Sequence, residues 1–231
     1  ATVNFNTAAT SGTLDLSGGE LGGPTTFTVS GATTWSGGTM SGAGQTVTSG
    51  PLAITGNFQS LNTRTLTING GATLSSAIGL FAGEGAVITN NGLFDIQTDA
   101  FLRFNGSGTQ PTFSNPAAGT LRKSGGAGTT GFTLILNSAG AVEANSGTLS
   151  LNNGSTSTGS FTAAATTTLN FGGGTHDLNA GSSVSGAGTI GFSAGTTVNV
   201  GGTYNPTELT RINGATVNFN TAATSGTLDL S

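Results

Sequence analysis

Nine carboxylates, one histidine and five basic side chains make up almost all the titratable chemistry of this 231-residue chain. Cleaving a glycosidic bond takes two carboxyl groups held about 5 to 9.5 Å apart. Asp95 and Asp99, in the run LFDIQTD, share one face of a strand. Four extended residues span ~13 Å, however, which is too far for that chemistry. They read as outward polar residues, with Phe94 and Ile96 pointing inward. His176 is followed by Asp177, but adjacent strand residues point to opposite faces and make a poor acid–base pair. His176 therefore reads as a solvated or corner histidine. The run Gly172-Gly173-Gly174 lacks the lysine and the helix of a phosphate loop. No acidic loop has calcium-binding spacing, and without cysteine there are no thiolate metal sites or disulfides. The expectation is no catalytic residue, no cofactor and no metal.

Two outward features remain. Arg64, Glu84, Arg103, Lys123 and Glu143 follow one another at steps of 20, 19, 20 and 20 along the chain. If the chain coils with that period, they form a charged column, each exposed pair worth only ~0.2 to 1 kcal/mol. Thr26/Thr28, Thr46/Thr48 and Thr65/Thr67 repeat at a similar step, as an outward threonine array on three successive coils would. Such an array suits ice or another ordered surface, although outward threonine is also what a solvated β-face favours.

These residues must be positioned by strands. LDL, FTV, LTI, LSL, LNF and VNV alternate apolar with polar residues, as half-buried strands do. Gly- and Asn-rich runs bound them, supplying tight corners. Residues 1 to 17 and residues 215 to 231 both read ATVNFNTAATSGTLDLS, an offset of 215 − 1 = 214. The reading is one continuous β-solenoid over 1–231. Residues 1–214 form one tandem unit and 215–231 begin the next. An apolar ladder runs inside the unit: Leu16, Trp35, Ile54, Leu74, Phe94, Phe113, Phe132, Leu151, Phe171, Phe192 and Ile212, closing at Leu230, the copy of Leu16. Its eleven steps, each between 18 and 21, predict an all-β parallel β-helix. Each unit then has about eleven coils of roughly 19 to 20 residues, with the ladder stacked in one buried column.

Composition narrows the partners. A formal net charge of −4, with only five basic residues, leaves no electrostatic footprint for nucleic acid or anionic lipid. No apolar run is long enough to insert in a membrane as a helix. Gly has no three-residue period, which excludes collagen.

SGTLDLSGG, SGTLSLNNG, SGAGQTVTSG and SGAGTIGFSAG, with the stretch Thr166 to Val200, resemble the β-strand repeats of bacterial autotransporter and filamentous-haemagglutinin-like giant surface proteins. The resemblance implies a right-handed solenoid, an extracellular location at the cell surface or secreted, and a structural or adhesive role. It transfers no functional residue. The partners expected are the chain itself, through adjacent units in a filament, and an unidentified ligand on a host or neighbouring cell. The rival expectations are an exported glycan-acting β-helix or tailspike, and an ice-binding solenoid. Verbatim duplication favours the stalk, because a fibre gains length with each copy and an active site gains little.

Overall fold

The computed structural model describes residues 1–231, and every regular element in it is a short strand of three to five residues. All the strands pair in parallel with the strand one turn away. They build three sheets of 12, 11 and 10 strands that wrap into a β-solenoid of about eleven turns. Each turn visits the first, second and third face in order, so the backbone hydrogen bonds run along the axis. At ~4.8 Å per turn the stack is about 50 Å long.

Alternation decides which side chains enter the tube. In Thr65–Ile68, Leu66 and Ile68 are buried while the two threonines are half-exposed, and most strands repeat this pattern. Forty-one buried apolar residues form one continuous cluster down the axis. Corners are tight because turns stack backbone on backbone there. A Cβ at Gly50 would sit 2.4 Å from the Gly31 carbonyl oxygen, and one at Gly70 would sit 2.3 Å from that of Gly50. Only hydrogen fits in such a column.

One turn is enlarged. Ile88 pairs with Phe113, Phe94 with Leu121 and Leu102 with Phe132, sequence separations of 25, 27 and 30 for strands one turn apart. A separation of about 20 is typical, as at Leu66 and Thr46 or Phe171 and Leu151. The surplus lies in the corner loops between Phe101–Phe104 and Thr112–Asn115 and between Thr120–Lys123 and Thr129–Phe132.

This turn divides the apolar ladder, which is not one column. Leu16, Trp35, Ile54 and Leu74 stack on the third face, where Phe94 also lies. The next step of the ladder falls one face short, at Phe113 on the second face. The one after falls short again, at Phe132 on the first. Leu151, Phe171, Phe192, Ile212 and Leu230 then continue on the first face. The three rings meet across the core, with centroids of Phe94 and Phe113 5.4 Å apart and those of Phe113 and Phe132 5.5 Å apart, both pairs edge to face. All eleven ladder positions are buried except Ile212, which is half-buried.

Two lost faces set the phase of the repeat. Eleven apparent steps, less two thirds of a turn, make ten turns and one face per repeat unit. The strands bear this out: Thr2–Asn4 lies on the first face, and its copy within Thr216–Phe219 lies on the second. Leu14–Leu16 lies on the third face, and its copy within Thr227–Leu230 on the first.

Candidate functional site: the turns at either end of the solenoid

The residues that could have carried chemistry are engaged separately. Asp95 lies in the outward row of the third face, where its Oδ2 accepts from Gln97 Nε2 at 3.1 Å. Asp99 sits in the corner loop beyond the strand, accepting from Lys123 Nζ at 2.8 Å and from the Gly128 N–H at 3.0 Å. The Lys123 hydrogen bond, helped by that of Gly128, holds the Asp99 carboxyl below the usual carboxylate range.

His176 is not solvated. It points inward on the second face with no exposure, alternating in phase with buried Leu178. Its Nδ1 lies 2.9 Å from Ser155 Oγ, its ring meets Phe171 edge to face at 5.2 Å, and Nε2 has no partner. Burial pushes its pKa down to about 4, against smaller opposing contributions from nearby backbone groups and Asp177. Asp177 faces outward and accepts from Asn199 Nδ2 at 2.8 Å. No group of three His, Asp or Glu side chains is arranged to hold a metal ion.

The charged column does not form. Arg64 is buried at a corner, donating to Thr46 Oγ1 at 2.7 Å and to the carbonyls of Gly23, Ser41 and Gln45 at 2.9 to 3.1 Å. Glu84 is an exposed corner residue that accepts from Ser107 Oγ at 2.6 Å. Arg103 projects from the first face, opposite Phe81. Lys123 points inward at the end of its strand, where its Nζ donates to Asp99 and to the carbonyls of Thr98, Gly125 and Gly126. A charged row does exist on the third face, but it is Asp95, Arg122 and Glu143, with Arg122 Nε 2.7 Å from Glu143 Oε2. A shift of one residue along a strand moves a side chain from the outside of the tube to the inside, as between Arg122 and Lys123. A regular spacing along the chain could not make that distinction.

The threonine array breaks for the same reason. Thr46 and Thr48 are fully buried, and Val47 stands in the outward row between Thr28 and Thr67. The buried guanidinium of Arg64 takes Thr46 Oγ1 as an acceptor, which holds the strand Gln45–Thr48 in this phase.

Exposed large apolar side chains lie both on the end turns and on the flanks. Leu230 is 69% exposed and Leu228 57%, with Val3 and Phe219 also open; on the flanks only Phe58, Leu93 and Phe101 are comparable. At the N-terminal end, residues 1–17 cover the next turn. Val3 lies over Leu21, Ala9 over Phe27 and Leu16 over Trp35. The Phe5 ring stacks on Phe27 at 4.3 Å, its N–H donates to the Gly22 carbonyl at 3.0 Å, and its carbonyl accepts from Thr25 Oγ1 at 2.8 Å.

At the other end the copy rests on different partners. Val217 lies over Val198, Ala223 over Tyr204 and Leu230 over Ile212. Asn218 extends an outward ladder by donating to Asn199 Oδ1 at 2.8 Å.

Compared with protein-family models, curated proteins and solved structures, the chain matches none of them.

Proposed function

We propose that this chain is a segment of an extracellular fibre or stalk in which solenoid units follow one another end to end, as its resemblance to bacterial autotransporter and haemagglutinin-like surface proteins implies. One observation carries the reading. The same seventeen residues form the turn at each end, covering a turn at the start of the unit and resting on one at its finish. A sequence that serves as both floor and ceiling lets the tube continue through a junction without a seam. The outward rows rich in Thr, Ser and Asn form a solvated surface, and the role is mechanical or adhesive rather than catalytic. Support for that second point is the dispersal of the carboxylates: Asp95 is hydrogen-bonded to Gln97, Asp99 to Lys123, Glu143 to Arg122 and Asp177 to Asn199, each at its own place on the tube. The adhesive ligand, if the stalk carries one, is a cell-surface molecule.

Electron microscopy of the protein bearing successive units tests this reading. Thin unbranched rods should lengthen by about 50 Å per unit, from ten and one third turns at ~4.8 Å. Units seen as separate beads on a flexible string would overturn it.

A further inference from the structure

We propose that the outward patch of Phe58, Phe81, Phe101 and Arg103 on the first face binds an acidic glycan, a chain of pyranose rings carrying carboxylates. This rests on the reading that the solenoid presents its surface to other cells, and it names the ligand class of the adhesive role. How units join has no part in it.

The patch differs from the face around it. The outward row there runs Thr39, Ser60, Phe81 and Arg103 over four successive turns. Farther along the axis the same face shows Gly131, Ser150, Asn170 and Gly191. Phe101 pairs with Gly79, and its ring rests over Gly131, where a Cβ would come within 3.0 Å of it. Phe58 is 67% exposed just before the strand Gln59–Asn62, its ring 6.3 Å from that of Phe81 and inclined to it by only 14°. Phe58 also has φ +65°, a left-handed conformation that is strained for a bulky side chain and suits glycine or asparagine. A ring held in water at a cost to the fold points to a task outside the fold.

Charge selects the ligand. Four of the five basic side chains are engaged within the molecule: Arg64 with corner carbonyls, Arg122 with Glu143, Lys123 with Asp99 and Arg211 with Asp229. Arg103 is exposed beside Phe81, and its guanidinium makes neither an ion pair nor a hydrogen bond. The acids at the adjoining corners are taken, Glu84 by Ser107 and Asp99 by Lys123. Its anion is left to come from outside, and a carboxylate fits the guanidinium fork with two hydrogen bonds.

Shape and size select a sugar. A depression of about 290 Å³ is lined by Phe58, Gln59, Ser60, Phe81 and Asn105. Asn105 Nδ2 donates to Asn62 Oδ1 at 2.9 Å, which leaves the Asn62 amide hydrogens free. A pyranose offers an apolar C–H face to a ring and a rim of hydroxyls to such amides. The three phenyl rings expose on the order of 300 Å², well short of the ~800 Å² that each partner gives to a stable protein interface. A short stretch of sugar chain along three turns, ~10 Å, matches that area, and a second copy of the chain does not.

The test measures binding of the 231-residue chain to immobilised oligosaccharides bearing galacturonate, glucuronate or sialate, and to the methyl esters of the same sugars. At least one acidic sugar should bind, its ester roughly ten- to a hundredfold more weakly, as expected on losing a charged hydrogen bond. Arg103→Gln should lose the same factor for the acid and nothing for the ester. Arg211→Gln removes equal charge from the same face and should change neither. Phe58→Asn should lose acid and ester alike, while thermal unfolding holds or rises because asparagine accepts the left-handed backbone. Phe101→Ser gives a second reading of the aromatic contact should Phe58→Asn disturb its corner.

No binding across the panel, equal affinity for acid and ester, or equal effects of Arg103→Gln and Arg211→Gln overturn the proposal. So does sedimentation in which Phe58→Asn abolishes association between copies, which makes the patch a contact of the chain with itself. Rods that lengthen with each unit yet bind no acidic sugar leave the stalk standing without this site. Sugar binding by units seen as separate beads leaves the site standing without the stalk.

Discussion

Residues 1–17 and 215–231 are the same peptide in two settings. The first begins on face one and ends on face three; the second begins on face two and ends on face one. The peptide specifies strands, corners and which side chains point inward. It does not specify a face, because the three faces make the same demand: a short strand alternating apolar with polar residues. The face is set by how many strands precede it. Neighbours then differ, and so should the consequences of the same substitution.

The largest expected effect comes from the floor beneath each copy. Leu16 lies over Trp35, which has no exposure, whereas Leu230 lies over half-buried Ile212. Trp35→Ala should destabilise the protein by about 3 to 5 kcal/mol, the usual range for truncating a buried aromatic. Urea denaturation measures that loss, and limited proteolysis should show residues 1–17 released first. Ile212→Ala should lose less and loosen residues 215–231 instead. If the two variants prove equal, the floors are equivalent and the comparison fails.

Acid should separate the two ends next. The inward column beneath Val217 runs through Val198 to His176, whereas beneath Val3 it meets Leu21 and Met40. The folded pKa of His176 is about 4 against 6.5 for the free side chain. Between those values the unfolded chain binds the proton and the folded chain does not. The stability contributed by neutral His176 is therefore full above pH 6.5, declines as pH falls, and is gone below about pH 4. The loss approaches about 3 kcal/mol, at roughly 1.36 kcal/mol per unit. Denaturation curves from pH 7 to 4 should flatten in His176→Phe, and hydrogen exchange should show acid opening the His176 side before the N-terminal turn.

Lys123 tests the enlarged turn between the copies. Lys123→Met leaves the carbonyls of Thr98, Gly125 and Gly126 without their donor, at about 1 to 3 kcal/mol for acceptors left unsatisfied. Thermal unfolding should fall accordingly, with new protease cleavage within residues 124–128 and none at either end turn. Cleavage spreading to the ends would show that this loop holds more than its own turn.

The smallest difference is the cleanest control. Asp229 meets Arg211 Nε at 3.0 Å, both side chains being exposed, while its twin Asp15 lies beside Thr34 and has no ion pair. Asp229→Ala should lower stability by no more than ~0.2 to 1 kcal/mol, an effect that fades with salt. Asp15→Ala should change nothing measurable at any ionic strength.

Much of this architecture is legible along the chain. The alternation of LDL, TLTI and TLNF, the glycine corners and the twofold occurrence of ATVNFNTAATSGTLDLS lead to a solenoid of parallel strands with an apolar axis. Alternation even holds the clue to His176, two residues before Leu178 and therefore on the same side. Arg64 and Lys123 are less legible. Arg64 depends on carbonyls of Gly23, Ser41 and Gln45 from earlier turns, and Lys123 on its own following corner together with Thr98 and Asp99 of the turn before; no local pattern announces such a cluster.

What the sequence determined by itself is the local conformation: where the chain extends, where it bends, and which side of each strand is apolar. What only the tertiary structure decided is the phase. Three equivalent faces lie roughly a third of a turn apart, so a ladder read at constant spacing steps onto the wrong face wherever a corner loop grows, as it does at Phe113 and Phe132. Nothing local records the slip, because each of those phenylalanines is buried whichever face receives it. Stacking alone counts the strands, through hydrogen bonds that pair each strand with the one a full turn below. That count places the second copy one face around from the first.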